Sequence, residues 1–221
     1  TAGKVIFPAA IETITFANNK VVGTTAEPTT INFKSAAKIG NVKYPTLADA
    51  FAAAQDGETV EMLRDVTEVV NINKTVTFDM AGFTLTGSIL APNANLIVAN
   101  GTIINNDKNV SAIEIKAGTL TLETTVTVES ARHALRIDGA VVATVNGGTY
   151  KSAQGTGTGT YHAANISGAA NVTIKGGTFV GPKGTTADSG SAVNVQSGAA
   201  VTIEGGEFSG GKRNTLASSG T

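Results

Sequence analysis

The 221-residue chain has no cysteine and no tryptophan, and aromatic residues make up only 5% of it. Disulfides are therefore excluded, as are thiolate nucleophiles and thiolate-bound metals. Neither sign of charge dominates: 16 Lys and Arg stand against 17 Asp and Glu, and only four of the basic residues are arginine. Neutralising a phosphate backbone takes clustered cations, so no nucleic-acid partner is expected. No apolar run approaches the ~18 residues of a spanning helix, so no membrane span is expected either. What is abundant is small and polar. The chain holds 32 threonines and 26 glycines, with 15% charged residues. That composition points to a secreted protein, extracellular or on the cell surface, from an organism that builds such proteins without disulfides. Threonine in first position suggests a processed form or a fragment, any signal peptide already removed.

The glycines are not scattered. "VTIKGGTFVG" at 172–181 has near copies in "ATVNGGTYKS" from Ala143 and "VTIEGGEFSG" from Val201. Val145, Ile174 and Ile203 lie 29 residues apart, and so do Tyr150, Phe179 and Phe208. A second shared segment precedes each copy: "HALRIDGA" from His133, "HAANISGA" from His162 and "SAVNVQSGA" from Ser191. "SAIEIKAG", from Ser111, comes 22 residues before His133, so the period is elastic. A recurring unit of 20 to 50 residues is the signature of a solenoid, in which each repeat buries its apolar face against its neighbours.

Inside each unit the periodicity is two. Ile113/Ile115, Leu135/Ile137, Ala164/Ile166 and Val193/Val195 should point inward, with Glu114, Arg136, Asn165 and Asn194 toward solvent. Val172/Ile174 and Val201/Ile203 should likewise be inward, with Thr144, Thr173 and Thr202 outward. The glycine pairs can take positive φ and turn the chain, returning the following aromatic to the core. Equivalent strands of successive coils should pair in parallel ~4.8 Å apart, which gives about six coils and a rod of ~30 Å. The fold expected is therefore all-β: a right-handed parallel β-helix over residues 38–221. "TLADAFAAA", with Thr46 and Asp49 as a capping box, should form a short N-terminal helix at about 46–55 that covers the first coil. Residues 1–37 alternate like strands in "IETITF" and "TTINFKS", and read as a β arm or the remnant of a preceding β domain.

"YPTLADAFAAAQDGETVEML", "VNINKTVTFDMAGFTLTG" and the GGTF coils together resemble the pectate-lyase-like right-handed parallel β-helix. More narrowly, they resemble repeat regions of bacterial cell-surface proteins built on that fold. The resemblance covers residues ~38 to 210 and implies fold more than activity, because the fold hosts lyases, hydrolases, adhesins and structural proteins. A lyase of this kind would carry clustered acidic calcium ligands and an Arg or Lys base, and a hydrolase a pair of carboxylates. The seven aspartates are spread from Asp49 to Asp188, and no Asp-Asp, Gly-His-Gly or Arg-x-Lys occurs. Lys116 opposite Asp138 and Lys175 opposite Glu204 read as cross-strand charge pairs. No catalytic residue, metal ligand or cofactor is assigned.

His133 and His162 occupy equivalent positions beside Arg132 and Tyr161. With Ser191 next in the column, no third metal ligand follows, and solvated corner histidines are the expectation. The ligand surface expected comprises Arg132, His133, Arg136, Tyr161, His162, Asn165 and Asn194, flanked by protruding loops at 151–162 and 181–191. The leading reading is a non-enzymatic extracellular structural or adhesive protein. Its expected partners are further copies of itself, assembling head to tail or by strand donation, and surface glycans or a neighbouring cell. The alternative is a carbohydrate-binding module, or a polysaccharide lyase or hydrolase of the same fold.

Overall fold

The structure is a computed structural model. It describes residues 34–152, 161–182 and 190–210, with the backbone of 13–15, 30–32 and 216–219 in addition. From the N-terminus, β1 (Thr13–Thr15) and β2 (Thr30–Asn32) form a two-stranded antiparallel sheet. The rest of the expected arm up to residue 33 lies outside the described residues. Next come β3 (Ala37–Ile39), β4 (Val42–Tyr44) and the helix α1 (Leu47–Ala53), the one helix among the described residues. Strands β5 (Glu58–Met62), β6 (Val66–Asn71), β7 (Thr75–Asp79), β8 (Thr84–Ala91), β9 (Ala94–Ala99) and β10 (Gly101–Asn105) follow. The central strands are β11 (Ile113–Leu122), β12 (Val126–Ser130), β13 (Leu135–Val145) and β14 (Thr149–Ser152). The last seven are β15 (Ala164–Ser167), β16 (Asn171–Ile174), β17 (Thr178–Val180), β18 (Val193–Gln196), β19 (Ala200–Ile203), β20 (Glu207–Ser209) and β21 (Leu216–Ser219).

The chain is all-β apart from α1, and β3 to β21 belong to one large, mostly parallel sheet. Its strands fall into three ladders. One runs β5–β7–β9–β11–β13–β16–β19. A second runs β8–β10–β12–β14–β17–β20. The third runs β8–β11–β13–β15–β18–β21. Early strands pair over short steps, as Val66 with Leu85, and late ones over the long step, as Ala164 with Val193. Steps of different length thus keep equivalent strands paired, with one register shift, between Ile115 and Ala117 of β11.

Alternation explains what each strand buries. In β16, Val172 and Ile174 are buried while Asn171 and Thr173 face outward. Ala112, Ala134, Ala163 and Ala192 are all fully buried at one position of the repeat. At another, Val128 is followed by Tyr150, Phe179 and Phe208. The rings stack at 4.9 Å between Tyr150 and Phe179 and 5.3 Å between Phe179 and Phe208. The Tyr150 hydroxyl donates to the Gly147 carbonyl at 2.8 Å, and burial pushes its pKa up, with Glu123 adding to the shift.

The second glycine of each pair carries the constraint. Gly148, Gly177 and Gly206 all have positive φ, and a Cβ there would come within 3 Å of a carbonyl oxygen of the preceding repeat. Only glycine lets the backbone pass that close.

α1 forms as the capping box predicts: the Thr46 hydroxyl accepts the Asp49 N–H at 3.0 Å. Leu47, Ala50 and Phe51 are buried, and Phe51 meets Phe78 edge-on at 5.2 Å. Neighbouring strands supply further caps. Glu68 accepts the Leu47 and Ala48 N–H groups, and Lys74 Nζ donates to the Ala52 and Ala54 carbonyls. A carboxylate at the helix N-terminus and an ammonium at its C-terminus both complement the helix dipole. β3 pairs antiparallel with β4 and β5, and Ala36 and Ala37, at the end of the expected arm, are fully buried in the main core.

The inward pattern fails in β19. Val201 is only partly buried and Ile203 is 40% exposed, where their equivalents Val172 and Ile174 are buried. An apolar side chain needs a neighbouring repeat on both sides, and among the described residues this ladder ends at β19.

Phe179 is fully enclosed between two rings. Replacing it with alanine is expected to lower stability by ~3–5 kcal/mol, the usual cost of deleting a buried ring. Urea unfolding of Phe179→Ala measures it. The same change at Phe208, which is stacked on one side only, should cost clearly less.

Candidate functional site

The third ladder and the residues leading into it build a polar groove. Its outward positions bring Glu114, Arg136, Asn165 and Asn194 into one column, and Asp138 beside Ser167 in the next. Arg136, Asn165, Asn194, Asp138 and Ser167, with Arg132 and the two histidines, line a groove of about 710 Å³, and Glu114 lies beside it. Six of the seven expected ligand-surface residues line it: Arg132, His133, Arg136, His162, Asn165 and Asn194. Tyr161 does not line it, but sits edge-on to the His133 ring at 5.8 Å. Of the flanking loops, 153–160 (with the glycine-rich 155–159) and 183–189 lie outside the described residues.

The histidines are not solvated corners. His133 and His162 are 7% and 6% exposed, and their rings stack nearly parallel with centroids 5.5 Å apart. His133 Nδ1 accepts the backbone N–H of His162 at 3.0 Å, and His162 Nδ1 accepts that of Ser191 at 2.9 Å. Each ring thus bonds to the backbone of the repeat that follows it. An Nδ1 that accepts has no proton, so the neutral His133 ring carries its hydrogen on Nε2. Burial is the main cause that pulls the His133 pKa down to about 3, with His162 and Arg132 adding to it. Coordinating a metal through Nε2 would move that proton to Nδ1 and break the bond. No cluster of three or more metal-ligating side chains occurs among the described residues.

The polar columns bond within themselves. Asn165 is buried rather than solvent-facing, because its Oδ1 accepts from Asn194 Nδ2 at 2.8 Å and from Gln196 Nε2 at 3.3 Å. Arg136 reaches Glu114 at 3.7 Å and Asp138 at 3.3 Å. Asp138 also accepts from the Ser167 hydroxyl at 2.9 Å. The expected Lys116–Asp138 pair is replaced by Lys116–Glu114 at 3.3 Å. A register shift after Ile115 takes Lys116 out of line with Asp138.

Arg132 is the exception. Its Nη1 donates to the Asn109 carbonyl, its Nε is buried with no partner, and no carboxylate pairs with it among the described residues. Asp138, Ser167 and Gln196 were not among the expected site residues. Each lies two positions after Arg136, Asn165 or Asn194, so the same alternation marks them.

No family model matches the chain, and neither a curated protein nor a solved structure matches it. No helix among the described residues is long and apolar enough to cross a membrane.

His133 makes acid sensitivity testable. Its folded pKa of about 3 lies below the unfolded value of 6.5, so the unfolded chain binds the extra proton first. Its contribution is complete above pH 6.5 and is lost as pH falls toward 3, by at most ~1.4 kcal/mol per pH unit. His133→Asn keeps an acceptor for the His162 N–H but does not titrate. Urea unfolding at pH 7 and pH 4 should show a smaller acid loss in the variant than in the native chain; equal losses would contradict the assignment.

Proposed function

We propose that the chain is a right-handed parallel β-helix of the pectate-lyase-like kind, serving as a non-enzymatic structural or adhesive protein outside the cell or on its surface. Three in-register parallel ladders support the solenoid. Right-handedness follows from the general rule that parallel strands of one sheet are joined by right-handed crossovers in about 98% of cases. The groove serves as its recognition surface.

The observation that carries the non-enzymatic reading is the state of the carboxylates. Glycoside hydrolysis needs one carboxyl free to donate a proton and another free to attack or activate water. Beside the groove, both Glu114 and Asp138 are held by the same Arg136 guanidinium. They neutralise a cation, and the described residues lining the groove hold no second pair of carboxyls free for acid–base work. Incubating the chain with a panel of polysaccharides, with and without calcium, is expected to release neither unsaturated nor reducing sugar. Release of either would overturn the reading.

Carbohydrate binding without cleavage is the second reading, supported by the amides of Asn194 and Gln196 in the groove, whose carbonyl oxygens and second N–H groups suit sugar hydroxyls.

Self-assembly belongs to the same proposal. Among the described residues the ladders through β19 and β20 end with one strand edge unpaired, and unpaired edges invite another chain. The opposite end is covered by α1 and the antiparallel β3 and β4, so direct stacking of end on end is blocked. A complementing strand would come from the arm of another copy, upstream of Ala36 and Ala37, which are held in the core of their own chain. It would give head-to-tail contacts that extend as a filament where they do not close. Deleting residues 1–35 should leave a folded monomer, while the full chain sediments as larger species at high concentration. A full chain that stays monomeric would overturn this part.

A further inference from the structure

Most charged and polar groups around the groove have partners in the fold. Arg136 has two carboxylates, Asp138 has Arg136 and Ser167, and Asn165 Oδ1 takes two amide donors. Two donors on adjacent residues do not. Arg132 is a cation without a counter-ion among the described residues, and its Nε–H is buried with no acceptor. The next residue, His133, has its Nδ1 committed to the His162 backbone, so Nε2 carries the hydrogen, and no group among the described residues accepts it.

Both side chains line the groove and both are held in place. The Arg132 guanidinium is tied through Nη1 to the Asn109 carbonyl. Its backbone is tied too, the N–H to Ser130 Oγ at 3.1 Å and the carbonyl to Ser152 Oγ at 2.6 Å. The His133 ring is fixed by its stack on His162. A buried N–H left without a partner costs more than the bond itself would return. A ligand that supplied acceptor oxygens and a negative charge would satisfy the Arg132 Nε–H and pair the partly exposed cation at once.

We propose that this end of the groove is an oxyanion site, in which Arg132 and the Nε2–H of His133 grip a sulfate, phosphate or carboxylate group of the ligand. The inference rests on the reading of the groove as a recognition surface and names the chemistry of what it recognises. Arg136 is not part of the grip, because Glu114 and Asp138 already satisfy it.

The test uses the full chain labelled with ¹⁵N. Sodium sulfate, sodium phosphate and sodium acetate are titrated separately at an ionic strength held constant with sodium chloride, and the Arg132 Nε–H and His133 Nε2 resonances are followed. A saturable shift with at least one anion, absent with chloride alone, is expected. Saturation by sulfate or phosphate assigns a tetrahedral group, and saturation by acetate alone a carboxylate. Arg132→Gln should weaken binding about tenfold or more, the usual effect of losing a charge-assisted hydrogen bond. Arg136→Gln should change it by less than about threefold, since that cation is already paired. Where Arg132→Gln does not fold, Arg132→Lys and His133→Asn carry the test, each weakening binding while thermal unfolding remains cooperative. The site is overturned if no anion saturates, if Arg136→Gln weakens binding as much as Arg132→Gln, or if these variants bind as the native chain does. None of those results bears on the polysaccharide assay, so this proposal and the non-enzymatic reading fail separately.

Discussion

Parallel pairing in constant register is the constraint on which the rest of this structure depends. It lays each residue on its counterpart in the next repeat, so every column must be compatible with itself. Alanine on alanine satisfies this at 112, 134, 163 and 192, and ring on ring satisfies it at Tyr150, Phe179 and Phe208. Like charges directly opposite repel. Opposite charges face each other instead at Glu114 with Arg136 and Glu129 with Lys151, although Glu61 stands opposite Asp79 at the first turn of the stack. Side chains carrying both a donor and an acceptor can repeat, which is why Asn194 bonds to Asn165. The stacked histidines obey the same rule by another route, each accepting the following backbone N–H.

A stack has two ends, and the rule cannot be satisfied at either. At the first, α1 replaces the missing repeat. Its seven residues would not hold as an isolated helix. Burial of Leu47 and Phe51 holds it, together with Glu68 and Lys74, which reach its two ends from β6 and the start of β7. At the other end the apolar columns run out into Ile203 and a partly buried Phe208. The two ends are therefore chemically different.

The register and the inward columns were legible in the sequence because the alternation of apolar residues and the glycine pairs are local signals that recur. The capping box of α1 was legible for the same reason. The side-chain caps were not, since Glu68 and Lys74 lie about 20 residues from the groups they bond. The lining of the groove was legible in part: the outward positions of Arg136, Asn165 and Asn194 follow directly from period two. The environment of the histidines was not. Their burial depends on the backbone of the next repeat, and nothing in "HALRID" or "HAANIS" states that Nδ1 meets an N–H there. Lys116 was misplaced for a related reason, because a one-residue register shift is invisible to a count of alternation.

The same constraint indicates where recognition can arise. A column that is compatible with itself has used its polarity on its neighbours and has little left for a ligand. Arg136, Asp138 and Asn165 are spent in this way. By continuation of the register, Arg132 stands in a column with Val110, Tyr161 and Gly190, four residues with nothing in common. Such a column contributes no repeating bond to the fold, and its members are free to differ. Arg132 keeps an unspent charge and an unspent Nε–H because, beyond the Asn109 carbonyl that takes Nη1, the described residues of the neighbouring repeats offer it no carboxylate and no second acceptor. In a stack held together by like on like, binding capacity collects at the positions that do not match.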